Sequence, residues 1–417
     1  MIKFLPEIYP DEAFYSYLSR CFVRSGYIWN RGIANEIFDK PTCAIDKCFL
    51  NVFTPEFKEL LDDHISLKEL ILSHTLFKYY ARFLPLEKRK LALQSAMNNE
   101  PFQNRNLPIP QQSSISCLRY CPMCVEEDRL KYSETYIHLV HTIPDIHTCT
   151  KHACILVDID LVKENSYRTT FVPLEFVVKK KKPTFINQES IDFRIAKYVI
   201  EVFNQPLDME TELIIGNYLS NKLDDKYISP RGEQRNLEIL LEDLKVFYKD
   251  ARNFDTTKKD LAYIFRSLSH SPYNILLVAL FQRIPPADLA NYLGTSIPRY
   301  EIFDQRVRSM FQEGLSMHKI AQTLNVNHEV VRQVLLGTYD KPKNCGSKYK
   351  CQRWNWEEID NNCCRDFYSK VSTIDKKKVS KPTVARLFDL KDKTLRNLPK
   401  LNSLIREYKN KNQSNFQ

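Results

Sequence analysis

The sequence predicts a mainly α-helical, multidomain protein with a small zinc-binding module and C-terminal helix-turn-helix domains. Three observations predict it. Apolar residues recur at helical spacing along most of the chain. Three cysteines and a histidine fall at knuckle spacing between positions 121 and 152. Two C-terminal segments carry the succession of small residue, turn residue and apolar residues that lets one short helix cross another.

At 417 residues the chain exceeds one ordinary domain. Its patterning divides it into an N-terminal helical part (1–105), a zinc module (106–160), a helical middle domain (161–300), a first helix-turn-helix (301–345) and a second helix-turn-helix-like domain (346–417). A hydrophobic fraction of 43% supplies real cores and excludes global disorder. The net charge of +10 favours a polyanionic partner such as double-stranded DNA. No apolar signal segment opens the chain, and no run reaches the roughly 18 apolar residues that span a bilayer. A cytoplasmic protein without a membrane partner is expected, and twelve cysteines in a reducing cytosol point to metal rather than disulfides. Glycine is scarce, at 8 residues, and no glycine-rich phosphate loop occurs, which argues against nucleotide binding.

In the first part, Phe14, Tyr17, Leu18 and Cys21 repeat at helical spacing behind Pro10-Asp11-Glu12, where Asp11 is placed to cap the first turn. Leu60, Leu61 and His64, then Leu67, Leu70 and Ile71, mark further helices. Residues 101–113, rich in Pro, Asn and Gln, read as a linker. Val177-Val178 reads as a short strand or loop ending in the basic run Lys179–Lys182, a solvated edge. From Ile191 the pattern is helical over 191–204, 211–222, 235–250, 257–268 and 272–282, with further helical groups at 304–337 and 379–410.

Cys121-Pro122-Met123-Cys124 and Cys149-Thr150-Lys151-His152 are separated by residues 125–148. Each tight turn offers two ligands, and sulfur and nitrogen donors in a tetrahedron suit Zn2+. Four protein ligands leave no open position for an activated water, so the site is expected to be structural. The fourth ligand is the open member. His152 mirrors the first knuckle's spacing, while Cys117, His138, His141, His147 and Cys154 lie nearby. Cys345, Cys351, Cys363 and Cys364 match no knuckle and read as ordinary cysteines, leaving a second metal open.

In residues 315–337, Ser316 is placed to cap a first helix, with Ile320 and Leu324 facing a core and Ala321 admitting a crossing helix. Asn325 sits where the turn needs a positive φ. Asn327 caps a second helix with Val330, Val331 and Val334 inward, leaving His328, Glu329, Arg332 and Gln333 for a major groove. The frame recurs with Ala385, Asp389, Leu390, Leu395 and Leu398. There Lys391, Lys393, Thr394, Arg396 and Asn397 face outward, and Pro399 ends the helix. Residues 371–417 hold 12 basic and 4 acidic residues (12 − 4 = +8), as phosphate contact requires. No carboxylate or nucleophile constellation supports an enzyme.

Taken together, three segments make the chain resemble the TnsD/TniQ family of transposon target-selection proteins. They are Tyr9-Pro10-Asp11-Glu12 with Ser16-Tyr17-Leu18-Ser19-Arg20, Arg119-Tyr120-Cys121-Pro122-Met123-Cys124 with Glu126–Asp128, and His141-Thr142-Ile143-Pro144 with Cys149, His152 and Leu156. The later half is similar to the longer TnsD branch at Glu313–Ser316, Ile320-Ala321, Leu324–Val326 and Val379–Leu387 with Leu398-Pro399. The resemblance implies recognition of a chromosomal attachment site and recruitment of the AAA+ regulator TnsC, which activates a TnsABC-type transposase. It implies TnsC contact through the N-terminal part and DNA reading by zinc and helix-turn-helix modules, in a bacterial cytoplasm and at the nucleoid when DNA-bound. Longer members often carry a second cysteine cluster before the first helix-turn-helix, whereas no cysteine lies between Cys154 and Cys345 here. The competing readings are a TniQ-type adaptor of an RNA-guided, Cascade-associated complex and an unrelated zinc-containing transcription regulator. The basic C-terminal half argues against the first, and the Pro10-Asp11-Glu12 segment against the second.

Overall fold

The computed structural model describes residues 2, 4–40, 49–99, 107, 118–159, 170–179, 181–212, 214–232, 235–267, 271–291, 297–338, 356–372, 379–388, 390, 395 and 398–413. It is mainly helical, and its described residues form two compact units, Met1–Ser347 and Lys348–Gln417.

The first unit opens with six helices: α1 (Phe14–Arg24), α2 (Asn30–Ile37), α3 (Pro55–Asp62), α4 (Leu67–His74), α5 (Phe77–Ala81) and α6 (Leu86–Met97). Thr54 and Ser66 cap α3 and α4 by accepting from the third residue on, satisfying an otherwise orphaned N–H. Phe14, Tyr17, Leu18 and Cys21 are all buried, as their spacing predicts. Asp11 is not the cap of α1. That position falls to Ala13, without a side-chain bond, and Asp11 adopts a left-handed φ of 55° facing His138. Glu12 takes over the junction. Its buried carboxylate accepts from Tyr9 N (3.1 Å), Ser16 Oγ (3.0 Å) and Arg20 Nη1 (2.6 Å), while Arg20 stacks on Tyr9 and reaches Glu134 Oε1 at 3.0 Å. Backbone bonds Ala13 N→Ile137 O (2.8 Å) and Leu139 N→Asp11 O (2.7 Å) tie this segment to the cysteine-rich region.

That region contains β1 (Arg119–Tyr120), α7 (Pro122–Tyr132), β2 (Thr148–Cys149), β3 (Cys154–Ile155) and β4 (Val157–Asp158). β1 pairs antiparallel with β4, and β2 with β3 in the register Thr148↔Ile155, Cys149↔Cys154. A single helical turn, α8 (Leu174–Val177), stands where a strand or loop was expected. Only Leu174 of that turn is fully buried, and Glu175 is fixed by Arg129, so tertiary contacts set its conformation.

The middle helices are α9 (Ile191–Asn204), α10 (Ile215–Lys222), α11 (Leu237–Phe247), α12 (Lys258–Phe265) and α13 (Pro272–Phe281), close to the five segments read from periodicity, followed by α14 (Pro286–Asn291). One continuous apolar core joins Phe14 and Ile71 of the N-terminal helices, Tyr120 and Val125 beside the cysteines, and Val199, Leu244 and Leu277 of the middle helices. Two buried arginines reinforce it. Arg82 donates to the carbonyls of Gln205 (2.7 Å) and Pro206 (3.0 Å), and Arg89 to those of Leu84, Asp208 and Thr211. The loop after α9 thereby has its carbonyls satisfied by charged donors.

The unit continues with α15 (Arg299–Gln312), α16 (Met317–Thr323) and α17 (His328–Leu336), which have their own apolar core. The second unit packs α18 (Trp356–Val371) against α19 (Lys381–Leu387) and α20 (Pro399–Gln413). Pro399 does not end a helix. It is the first residue of α20, where its fixed φ and missing N–H carry no penalty. Asp360 caps that helix from α18, accepting from Lys400 N and Leu401 N at 2.9 Å each.

Candidate metal centre and nucleic-acid interface

Cys121 is the N-cap residue of α7, and Pro122 starts the helix, so Cys124 rises on the first turn beside it. Cys149 ends β2, and the tight turn to β3, with Ala153 at a left-handed φ of 48°, swings His152 back over the strand pair. A helix start and a hairpin turn thus bring the two knuckles together. The ligand atoms of Cys121, Cys124, Cys149 and His152 all lie within 4.8 Å of one another. Cys124 Sγ is 3.9 Å from Cys149 Sγ, and His152 Nδ1 is 3.5, 3.4 and 3.7 Å from the sulfurs of Cys121, Cys124 and Cys149. Sulfurs about 2.3 Å from a tetrahedral zinc stand roughly 3.7 Å apart, so the donor set fits a four-coordinate ion. These four residues can hold a metal ion.

Charge is unevenly shared in this cluster. A hydrogen bond with Cys121 pulls the Cys149 thiol down, whereas one with Cys121 pushes Cys124 up. A bound divalent cation lets all the ligating thiols ionise together.

His152 is oriented from behind. Its Nε2 lies 3.0 Å from Glu127 Oε1 on the next turn of α7, and Lys151 also pairs with Glu127. A carboxylate on the far nitrogen fixes the tautomer that leaves Nδ1 free for metal. Of the alternatives for the fourth position, Cys154 is buried with its Sγ 3.1 Å from Cys121 Sγ and outside the convergent set. His138 lies between Asp11 and Asp128, His147 contacts Asn253, and Cys117 lies outside the described residues. His141 is buried beside Cys149 with its Nδ1 unpartnered. Cys363 belongs to the apolar core of the second unit and Cys364 packs against it. Cys345 and Cys351 lie outside the described residues.

The second candidate surface is α17. Ser316 Oγ accepts from Lys319 N (3.3 Å) to cap α16, and Asn327 Oδ1 accepts from Glu329 N (2.9 Å) to cap α17. Asn325, at φ 49°, makes the turn between them, as its position predicts. Ile320, Ala321, Leu324, Val331 and Val334 are buried with Phe303 and Val307, and Val330 is half-buried against them. The opposite face of α17 presents His328 and Arg332, exposed, and Glu329 and Gln333, partly so. Arg332 and Gln333 both donate to Glu329. In the second unit Ala385, Leu395 and Leu398 are buried, as their pattern predicts. Asp389 and the outward candidates Lys391, Lys393, Thr394, Arg396 and Asn397 lie outside the described residues.

Compared with known proteins, residues 3–156 match the TniQ family model. The chain carries a TniQ domain. Its span runs from the Glu12–Arg20 pair through all four residues of the metal cluster, as the resemblance of those segments implies. The transposon Tn7 transposition protein TnsD of Escherichia coli is 23% identical over 160 residues, which are 36% of this chain and 30% of that relative. The match to this relative therefore covers about a third of its length. Among the described residues, no helix is long and apolar enough to cross a membrane.

Proposed function

We propose that this protein selects insertion sites for a transposon without catalysing a reaction. It binds a double-stranded DNA attachment site and recruits a TnsC-like AAA+ ATPase, which activates a TnsABC-type transposase, in the bacterial cytoplasm and at the nucleoid. The observation that carries this reading is the joining, in one chain, of a TniQ domain to α16–α17, a capped helix pair whose second helix turns an uncovered polar face outward. A helix of this kind enters the major groove with its N-terminal residues toward base edges. His328, Glu329, Arg332 and Gln333 form that surface. Lys391, Lys393, Thr394, Arg396 and Asn397 supply further contacts from the basic C-terminal unit.

Zn2+ occupies the Cys121, Cys124, Cys149 and His152 cluster as a structural ion. Its ligands come from α7 and the β2–β3 hairpin, so the ion holds the end of the TniQ domain together. The test is a duplex-binding titration with purified protein, followed by capture of the TnsC-like ATPase on DNA that does or does not carry the selected site. Site-dependent ATPase capture is the expected result. Capture that is indifferent to DNA sequence, or that requires a guide-RNA complex, would overturn the reading in favour of an adaptor.

A further inference from the structure

We propose that Glu329 is the positioning residue of Arg332, and that Arg332, held by it, reads a guanine in the major groove. The inference rests on α17 being the recognition helix. It deepens that reading by assigning different tasks to residues that share one face.

The geometry is specific. Glu329 Oε2 accepts from Arg332 Nε at 2.8 Å, and Glu329 Oε1 accepts from Arg332 Nη2 at 2.8 Å. The carboxylate therefore grips the side edge of the guanidinium with both oxygens. Gln333 Nε2 adds a third donor to Oε1 at 3.0 Å. A guanidinium carries five N–H donors in a rigid fork. Two are spent on Glu329. The end edge, formed by Nη1 and the second Nη2 hydrogen, still presents two parallel donors. Guanine offers two acceptors at matching spacing, N7 and O6, and no other base edge in the major groove does.

Charge supports the division of labour. A lone carboxylate on a DNA-facing helix is repelled by phosphates and by guanine's acceptors. Paired with Arg332, it contributes no net charge, and hydrogen bonding from Arg332 holds it below the usual carboxylate range. The pair therefore adds direction rather than general attraction to DNA, which must come from the unpaired cations of the chain. Both side chains are about half exposed, at 47% and 52%. An exposed pair three residues apart adds little to helix stability, so Glu329→Ala is expected to fold normally.

The experiment uses the full-length protein. A duplex sequence is selected from a randomised pool, and binding is then titrated against that duplex, its single-pair variants and a duplex of unrelated sequence. The expected wild-type result is a G·C pair whose replacement weakens binding about tenfold. Arg332→Ala loses that discrimination. Glu329→Ala lowers it severalfold at the same pair and leaves the other pairs unchanged, while binding to the unrelated duplex strengthens slightly and its salt dependence steepens, because Arg332 becomes an unpaired cation. Combining the two substitutions costs no more discrimination than Arg332→Ala alone. If Arg332→Ala loses the guanine preference while Glu329→Ala keeps it, or alters a different base pair, the positioning role is wrong although the recognition helix stands. If Arg332→Ala binds the selected duplex and its variants as the wild type does, the recognition-helix reading fails and takes the proposal with it.

Discussion

Removing one sulfur from the metal cluster separates ligands from neighbours. Cys121→Ser is expected to lose bound zinc and open the region around α7 and β2–β3 to protease, because ion binding there is part of the folding free energy. Cys154→Ser, which alters a sulfur beside Cys121 but outside the convergent set, is expected to keep one zinc per chain. Elemental analysis of both variants checks the pair, and metal loss in Cys154→Ser would transfer the fourth position from His152 to Cys154. His138 offers a second test. Burial pulls its pKa down, but hydrogen bonds to Asp11 and Asp128 outweigh this and hold it up at about 9. The folded state thus keeps a proton that the unfolded chain releases near pH 6.5. The stabilisation is fully present below about 6.5 and is lost as pH rises through about 9. A shift of this size corresponds to roughly 3 kcal/mol. Glu12, pushed up to about 7 by burial, acts in the same direction, its share present below about 4.5 and lost through 7. Tyr136 and His141 also face the His138 ring. With zinc saturating, the melting temperature of the wild type should exceed that of His138→Gln at pH 6, and the gap should close by pH 9.5. Such roles were not legible beforehand. The burial of Arg82 and Arg89 is one of them, because the loop carbonyls from Gln205 to Thr211 that accept from these side chains lie more than a hundred residues away in sequence.

At the scale of elements, helix crossings set the tolerances. A Cβ on Gly216 of α10 would stand 2.6 Å from the Phe265 carbonyl oxygen at the end of α12. Backbone cannot yield as a side chain does, so Gly216→Ala is expected to destabilise the protein by about 1–3 kcal/mol in a denaturant titration. Arg332→Ala is expected to weaken specific DNA binding by about 1–3 kcal/mol, with thermal stability unchanged. Helices α9 to α12 were legible because an apolar stripe faces one continuous core, and α13 because it is an apolar run buried on all sides. The caps of α16 and α17 and the left-handed Asn325 were legible for a local reason, since each is a bond or φ value set within four residues. The short turn α8 and the helix start at Pro399 were not. Each depends on a partner distant in sequence, Arg129 for the first and Asp360 for the second.

For the whole molecule, charge and core are distributed differently. The unit Lys348–Gln417 has its own apolar core around Phe367, Val384 and Leu401, and residues 371–417 carry +8 by the count above. A chain ending at Ser347 is expected to retain bound zinc but to bind DNA more weakly, with a shallower dependence of log K on log salt. Titrations between 50 and 200 mM salt check this, and an unchanged slope would place the phosphate contacts in the first unit. By itself the sequence determined the mainly helical class, the three cysteines of the metal cluster, the TniQ resemblance and the caps of the α16–α17 pair, because each is written in spacing over a few residues or in a short motif. The tertiary structure alone decided that the N-terminal helices, the cysteine-rich region and the middle helices share one core, and that Glu12 rather than Asp11 organises their junction. It alone placed His152 Nδ1 among the three sulfurs with Glu127 behind it. Those outcomes turn on contacts distant in sequence, since Arg20 carries the Glu12 junction to Glu134 and a helix-to-hairpin contact carries His152 to the sulfurs, and no local pattern encodes such a pairing.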